Sequence, residues 1–201
     1  DYTRSDDDND RVVESDLQSF FDSLIGTSAS RAPGAIDEHY DVLTLLAKWQ
    51  WQQLSVDYFN WRNFDLGHGA GVAQALDTAG GSAIYNHQLK AVYDFSELAF
   101  GDLKATIGYK EQQSRTFLTV FPAGAAFPID QGGNINFASE GLTLFDEGFI
   151  GTPGAGGDVT TLRLTHLFNA TKAHLVRWEW GYEKQQFEAN ERKNFGLGIL
   201  D

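Results

Sequence analysis

Strict two-residue alternation of apolar and polar side chains is the sequence feature that most limits how this chain can fold. In residues 174–185 (HLVRWEWGYEKQ), Val176, Trp178, Trp180 and Tyr182 share one parity, and charged or small residues occupy the other. Side chains alternate between the two faces of a strand, so this segment is predicted to be a strand with one apolar and one charged face. The apolar face must meet either a second layer of protein or lipid.

The same alternation recurs along the chain and predicts an all-β fold. The predicted strands are 39–50, 54–63, 84–95, 102–113, 158–168 and 174–186. They are longer than the typical globular strand of about 5 to 6 residues and match a tilted membrane strand. Short connections near 52, 96–101 and 169–172 alternate with long ones at 5–37, 64–83 and 114–157. We therefore expect an antiparallel up-and-down meander that forms part of a transmembrane β-barrel, with tight turns at one end and long loops at the other.

Aromatic residues on the apolar parity favour lipid as the solvent of that face. Trp49, Trp51, Phe95 and Phe168 are predicted near the short turns, and Tyr85, Tyr109, Trp180 and Tyr182 near the long loops. Two aromatic girdles around an aliphatic band of about 25 Å are typical of outer-membrane barrels. The alternative is a soluble all-β binding or structural module, in which the same face packs on a second sheet.

The parity also predicts which side chains share each face of the sheet. Leu89, Ala105, Ile107, Leu164, Val176 and Trp178 are expected to face outward. Lys90, Lys104, Thr106, Arg163, Arg177 and Glu179 are expected to face the lumen of the barrel. Charged side chains on the lumenal face would keep the interior polar and wet.

The long connections carry some local structure of their own. Residues 14–26 are predicted to form a short amphipathic helix, with Ser15 as N-cap, Gln18 three residues on, and Gly26 as the stop. Residues 67–81 are rich in Gly and Ala, and we expect them to pack little. Residues 121–157 mix turn residues with phenylalanines and are expected to fold over and present aromatic surface.

Charge and composition exclude several classes of function. With 15 Lys and Arg against 28 Asp and Glu, the formal charge of −13 would repel a phosphate backbone, so nucleic-acid binding is not expected. The chain has no cysteine, which excludes disulfides and thiolate metal sites. It also has no apolar run of about 18 to 20 residues and no basic-apolar signal segment at its beginning.

No motif predicts catalysis, a cofactor or a metal site. The acidic run at 6–17 places Asp6, Asp8 and Asp10 at the spacing of a calcium loop, but Arg11 stands where that loop needs Gly and Leu17 where it needs Glu. The five histidines show no ligand spacing, and no nucleophile motif such as GxSxG occurs. We therefore expect a non-enzymatic protein without a cofactor.

Motifs in the long connections add a resemblance to a known family. They are GTSASRAPG (26–34), GVAQALDTAG (71–80), GNINF (133–137), GFIGTPG (148–154) and ERKNFGLGILD (191–201), interleaved with the hairpins in this order. In this arrangement the chain resembles the middle of the barrel of a TonB-dependent outer-membrane receptor. The resemblance covers nearly the whole chain, 1–201, although the motifs are loosely defined and are not catalytic signatures.

The resemblance implies a Gram-negative outer-membrane protein with its long loops outside the cell. Barrels of this family have roughly 22 strands and a plugged lumen, so the six strands here would be part of a longer polypeptide that supplies the plug domain and the remaining strands. The implied partners are outer-membrane lipid, a scarce small-molecule ligand, the rest of the barrel and plug, and TonB through the parent chain. The predicted ligand-binding residues, at the loop tips and the top of the lumen, are Trp61, Arg62, Phe64, His68, Arg115, Phe121 and Phe127.

Overall fold

The computed structural model describes residues 1–6, 11–98, 101–132, 134–171 and 174–194, with residues 96, 97 and 169–171 as backbone alone. The elements in chain order are β1 (Tyr2–Ser5), β2 (Val12–Val13), α1 (Leu17–Ile25), β3 (Gly34–Ala35), β4 (Tyr40–Trp51), β5 (Leu54–Gly67), β6 (Gly81–Leu98), β7 (Gly101–Phe121), β8 (Ala125–Phe127), β9 (Thr143–Phe145), β10 (Phe149–Gly151), β11 (Gly154–Thr171) and β12 (His174–Asn190).

One large antiparallel sheet contains all six predicted strands. Its order is β1-β4-β5-β6-β7-β11-β12, and β10 pairs with the far end of β7. The prediction of an all-β meander with sequential antiparallel pairing is confirmed. Five of the six strands are longer than predicted, up to 21 residues in β7, because pairing continues past the alternating segments, whereas β4 keeps its predicted length of 12 residues. The short edge strand β1 was not predicted.

The hairpin between β4 and β5 shows why the turns at one end are tight. Trp51 pairs with Leu54, so the connection is the two residues Gln52 and Gln53. Gln52 has a φ of 51°, and a positive φ at the first central position is typical of the primed turns that match the twist of paired strands.

The register places the apolar side chains in rows that cross the sheet on one side, here named the apolar face. From the short-turn end toward the loops, the rows are Leu98-Gly101-Phe168-Val176, Phe95-Leu103-His166-Trp178, Trp51-Leu54-Tyr93-Ala105-Leu164-Trp180, Trp49-Val56-Ala91-Ile107-Leu162-Tyr182 and Ala47-Tyr58-Leu89-Tyr109-Thr160-Lys184. The residues predicted to face outward all belong to these rows. The predicted lumenal residues lie on the opposite side, here named the polar face.

The register corrects the predicted upper aromatic girdle. Trp180 pairs with Leu164 and therefore shares a row with Trp51, and Tyr182 shares a row with Trp49. Trp180 is the seventh and Tyr182 the ninth of the 17 residues of β12, so both lie toward the middle of that strand and not beside the long loops. Pairing with β11 extends β12 to Asn190, four residues beyond the predicted end, and this extension separates both residues from the loops.

Ion pairs on the polar face join oppositely charged side chains, mostly of neighbouring strands. Lys48 lies 3.5 Å from Asp57, and Lys104 lies 3.7 Å from Asp94. Farther along the sheet, Glu179 accepts from both Arg163 and Arg177 at 3.1 Å. These exposed pairs each stabilise the sheet little, but they balance the charge that this face carries.

The buried apolar side chains of the described residues lie outside the apolar face. They are Ala29, Ala75, Leu76, Phe121, Ala125, Ala126, Phe127 and Phe145. All belong to the far end of β7 or to three connections that fold together, residues 11–38, 68–80 and 122–153, here named the loop assembly. Phe121 packs against Phe127 and Phe145 with ring centroids 4.5 and 5.0 Å apart.

Helix α1 begins one residue later than predicted. Asp16, and not Ser15, is the N-cap, because its carboxylate accepts from the backbone N–H of Ser19 at 2.7 Å while the Ser19 hydroxyl accepts from the backbone N–H of Asp16 at 3.0 Å. This reciprocal pair forms a capping box. Gly26 ends the helix as predicted, with a φ of 89°.

The packing of α1 differs from that of an ordinary amphipathic helix. Gln18 and Asp22 are buried, whereas Leu17, Phe20 and Leu24 are more than half exposed. Gln18 donates to Asp22 at 2.9 Å and accepts from the Gln74 side chain at 3.0 Å. A hydrogen-bonded polar contact therefore joins the helix to residues 68–80, and this contact is satisfied on both sides.

The expectation that residues 67–81 pack little is wrong. Ala75, Leu76 and Asp77 are each at most 2% exposed. The segment comes close to α1, where Gln18 donates its backbone N–H to the Gln74 carbonyl at 3.1 Å, and to β7, where Thr119 donates its backbone N–H to the Asp77 carboxylate at 2.6 Å. A segment poor in large apolar residues is thus buried through its backbone hydrogen bonds.

Candidate functional site

The structure divides the seven predicted ligand-binding residues among three environments. Trp61 pairs with Thr44 and Asn86 on the polar face, whereas Arg62 pairs with Leu43 and Tyr85 on the opposite face. Consecutive strand residues project to opposite sides of a sheet, so these two side chains do not form one patch. On the polar face, Trp61 remains a predicted ligand contact.

Arg62, Phe64 and Arg115 line one shallow hollow of about 410 Å³ at the loop end of the sheet. The Arg62 guanidinium lies over the ring of Tyr85, 4.7 Å from its centroid. Phe64 is 47% exposed beside it. Because Tyr85 and Gln113 are paired in the same row as Arg62, this hollow lies on the side of the sheet that carries the apolar face.

Phe121 and Phe127 belong to the core of the loop assembly. Phe121 is 6% exposed and Phe127 is fully buried, so neither has surface to offer to a ligand in this conformation. The prediction that they form part of an accessible binding patch is therefore wrong, because aromatic side chains in a glycine-rich connection gain more free energy by packing on each other than by facing water.

His68 holds a loop to the sheet. Its Nε2 atom lies 2.8 Å from the Ser82 hydroxyl, which in turn lies 3.0 Å from the Thr116 hydroxyl. This chain links the start of the 68–80 connection to β6 and β7. His68 thus has a structural role in the geometry observed.

A belt of aromatic rings crosses the sheet just above the aliphatic part of the apolar face. The His87 ring lies 5.2 Å from Tyr58, 6.0 Å from Tyr109 and 6.1 Å from Tyr85, measured between centroids. Tyr85 continues the belt upward to Arg62. Tyr85 and Tyr109 were predicted to belong to an aromatic girdle near the long loops. Tyr58 and His87 were not predicted there, although these two residues also have the parity of the apolar face.

Lateral cover is missing from the apolar face within the described residues. Trp49, Ile107 and Trp180 are each more than half exposed, and Leu89 is 43% exposed. A soluble monomer rarely leaves an apolar surface this continuous in water. This face is therefore the strongest candidate for a functional surface.

Two aspartates of helix α1 and its N-cap, Asp22 and Asp16, hold segments of the loop assembly together through hydrogen bonds. Asp16 accepts from Ser30 at 2.7 Å and from the Leu76 backbone N–H at 2.8 Å. Asp22 accepts from Thr27 at 2.6 Å and from the Ala29 backbone N–H at 2.8 Å. Burial raises the pKa of both carboxyls, but these hydrogen bonds outweigh it, so each pKa lies below its ordinary value.

Asp77 fixes the assembly to the sheet. Its fully buried carboxylate accepts from the backbone N–H groups of Ala79 at 3.1 Å, Gly80 at 3.0 Å and Thr119 at 2.6 Å. Arg31 approaches to 3.9 Å. One carboxylate therefore joins residues 68–80 to β7.

Comparison with known proteins gives no relative. No family model, curated protein or solved structure matches this chain. The function proposed below therefore depends on the geometry of the sheet and on the resemblance carried by the loop motifs.

Among the described residues, no helix has the length and hydropathy needed to cross a bilayer. The same part of the chain gathers no group of three or more His, Asp or Glu side chains that could hold a metal ion. Asp8 and Asp10 of the acidic run lie outside the described residues.

A histidine between two carboxylates predicts a pH-dependent contact at the loop end. His39 Nδ1 contacts Asp37 and its Nε2 lies 3.1 Å from Asp65. The hydrogen bond to Asp37, and then that to Asp65, raises the pKa of His39 above its ordinary value. The protonated form is favoured in the folded state, so its contribution is complete below about pH 6.5 and is lost as the pH rises through the higher folded pKa.

We expect amide protection at Gly67 and Gly69 to weaken as the pH rises through that transition. Gly67 donates to the His39 carbonyl at 2.9 Å and Gly69 to the Asp37 carbonyl at 2.6 Å. The decrease should be under about 1 kcal/mol, because His39 is partly exposed. Hydrogen-exchange protection factors, which correct for intrinsic rates, measure it. His39→Gln is the control, and equal pH dependence in both proteins would contradict the assignment.

Proposed function

We propose that this chain is a segment of a transmembrane β-barrel in a Gram-negative outer membrane, and that the parent is a TonB-dependent receptor that takes up a scarce ligand. The observation that carries the proposal is the division of charge between the two faces. From the row of Val176 to the row of Trp49, the apolar face contains no Asp, Glu, Lys or Arg among the described side chains. Between the same rows and in the next row toward the loops, the polar face carries Lys48, Asp57, Lys90, Asp94, Lys104, Arg163, Arg177, Glu179 and Glu183.

The height of the apolar face supports the bilayer as its solvent. Along β12 the rows run from Val176 to Lys184, which at about 3.3 Å per residue is about 26 Å along the strand. A tilt of about 40° reduces this to about 20 Å along the membrane normal, near the apolar band of about 25 Å in such barrels. Trp49 and Trp51 lie at the short-turn end of β4, and in β7 Tyr109 follows the aliphatic positions Ala105 and Ile107 toward the loops, as expected where the face meets the two interfaces.

One polar pair inside this band is hydrogen-bonded within the protein. Trp178 donates its indole N–H to His166 Nδ1 at 2.8 Å, and His166 is 8% exposed. Polar groups in hydrocarbon must be satisfied by protein. The pair therefore satisfies the condition that lipid imposes.

The loop assembly at the other end of the sheet supports uptake of a ligand. The loop assembly covers the end at which a barrel of this orientation meets the outside, and Trp61 lies below it on the polar face. TonB, the plug and the remaining strands enter the proposal through the family resemblance. Deleting the parent gene and measuring growth on limiting iron chelate, cobalamin or sugar tests the transport step.

Brominated-lipid quenching of single-tryptophan variants tests the membrane assignment. The chain has five tryptophans; Trp49, Trp51, Trp178 and Trp180 lie on the apolar face, and Trp61 lies on the polar face. In the full-length parent reconstituted in vesicles, with its other tryptophans replaced by Phe, we expect strong quenching of Trp180 and little quenching of Trp61, because bromine on the acyl chains quenches by contact.

The same variants identify the competing function. A soluble all-β module would purify without detergent, would not float with vesicles, and would show Trp180 shielded from aqueous iodide by protein. Equal weak quenching of Trp180 and Trp61 by brominated lipid, in a folded protein, would overturn the membrane proposal.

A further inference from the structure

We propose that Arg62 and Arg115 form a binding site for the phosphate group of an outer-leaflet lipid, on the outside of the barrel. The inference rests on the proposed membrane location, and it reassigns two residues that the sequence placed in the ligand site of the lumen. The ligand class is a phosphorylated membrane lipid, recognised by two guanidinium groups.

The side of the sheet on which Arg62 and Arg115 lie supports a lipid ligand. Arg62 lies in the row Leu43-Arg62-Tyr85-Gln113, on the same side as the apolar face. Arg115 has the same parity in β7 as Gln113, and both arginines line one hollow. A ligand inside the lumen cannot reach this side of the sheet, whereas a lipid can.

The position of Arg62 beyond the apolar rows also supports a lipid ligand. Along β5, Arg62 lies four residues beyond Tyr58, the uppermost aromatic of the apolar rows. This separation is about 13 Å along the strand and about 10 Å along the normal. Headgroups begin directly above the hydrocarbon, and tyrosines mark that level. The long arginine side chains therefore end in the headgroup layer.

The charges of Arg62 and Arg115 favour an anionic ligand. Among the described residues, neither Arg62 nor Arg115 has a carboxylate within ion-pair distance, although the chain carries a net charge of −13. The acid nearest along β7, Glu111, lies four residues from Arg115 and accepts from Gln113 at 2.8 Å. Two guanidinium groups that line one hollow without a carboxylate partner favour an anion between them.

The hollow itself suits a phosphate carried on a sugar or glycerol. A guanidinium offers parallel N–H donors that match phosphate oxygens bidentately. Tyr85 fixes the Arg62 guanidinium by a cation–π contact at 4.7 Å, and Phe64 adds an apolar wall. A basic residue near an anionic membrane surface contributes enough to change lipid affinity about fivefold.

The test measures lipid retained by the full-length parent after detergent exchange. The protein is incubated with lipid A, a diphosphorylated glycolipid, and retention is counted by native mass spectrometry for the wild type and for R62Q/R115Q. We expect the double variant to bind lipid A about thirtyfold more weakly and each single variant about fivefold more weakly. The control is R177Q, which removes an arginine from the polar face at the opposite end and should leave retention unchanged.

Three outcomes would overturn the site, and they are distinguishable from failure of the proposed function. Equal retention by wild type and double variant, in barrels that float with vesicles, removes the arginines from lipid binding while leaving the barrel intact. Equal loss in R177Q means that any arginine contributes through net charge alone. Binding of soluble inorganic pyrophosphate that depends on Arg62 and Arg115, without lipid A retention, assigns a free-anion site instead. Failure to float with vesicles overturns the membrane proposal and this site with it.

Discussion

Replacing Ala105 by Arg should destabilise the folded barrel by about 2–4 kcal/mol. Ala105 lies in the middle of the five apolar rows, between Tyr93 on β6 and Leu164 on β11. If this face meets lipid, an arginine there is near the midplane and must desolvate its charge or pull water and headgroups inward. Unfolding of the full-length parent in vesicles by denaturant measures the loss.

Two control substitutions separate lipid from other causes of that loss. Val176→Arg adds the same side chain on the same face, but two residues from the start of β12 at the short turn, and should cost about 0–1 kcal/mol because the penalty falls toward the interface. Thr161→Arg adds it on the polar face, where Thr161 pairs with Glu183, and should be nearly neutral. Thr106 is a poorer control, because it pairs directly with Arg163. Equal losses at positions 105 and 176 would show that depth in a bilayer is not the cause.

Replacing Asp77 by Ala should release residues 68–80 from the sheet at a cost of about 3–5 kcal/mol of local stability. The carboxylate is fully buried and accepts from three backbone N–H groups, of Ala79, Gly80 and Thr119. Its removal leaves these donors buried without an acceptor, which costs about 1–3 kcal/mol for each. Hydrogen exchange at residues 72–80 and 116–121 measures the release, and exchange in β6 should stay slow.

Asp77→Asn and Asp130→Ala sharpen this test. Asn keeps an oxygen for Ala79 and Gly80 but presents an NH₂ group toward the Thr119 N–H, so it should break the link to β7 and leave the local turn. Asp130 also accepts two backbone N–H groups, from Gly132 at 2.9 Å and Asn134 at 3.0 Å, but these bonds are exposed. Its loss should change exchange little, since water replaces the acceptor. Equal effects at positions 77 and 130 would contradict the role of burial.

Much of the site could be predicted from the parity of the strand residues. Part of it was missed because residues of opposite parity, which face opposite sides of the sheet, were assigned to one patch. Trp61 and Arg62 are neighbours in sequence, and their alternation already places them on opposite faces. The hollow that unites Arg62 with Phe64 and Arg115 could not be predicted, because it depends on the pairing of β5, β6 and β7. The burial of Phe127 was also beyond local patterns, since the rings around it come from β7, β9 and α1.

By itself, the sequence determined the all-β class, the six long strands, their antiparallel order and the two faces of the sheet. These properties are local, because side-chain alternation and turn length act within a few residues. The tertiary structure alone decided the height of each side chain on its face, as with Trp180, and the packing of the loop assembly around Asp16, Asp22 and Asp77. Height follows from the register between strands, and burial follows from contacts between distant segments, so neither quantity is encoded by the period of one strand.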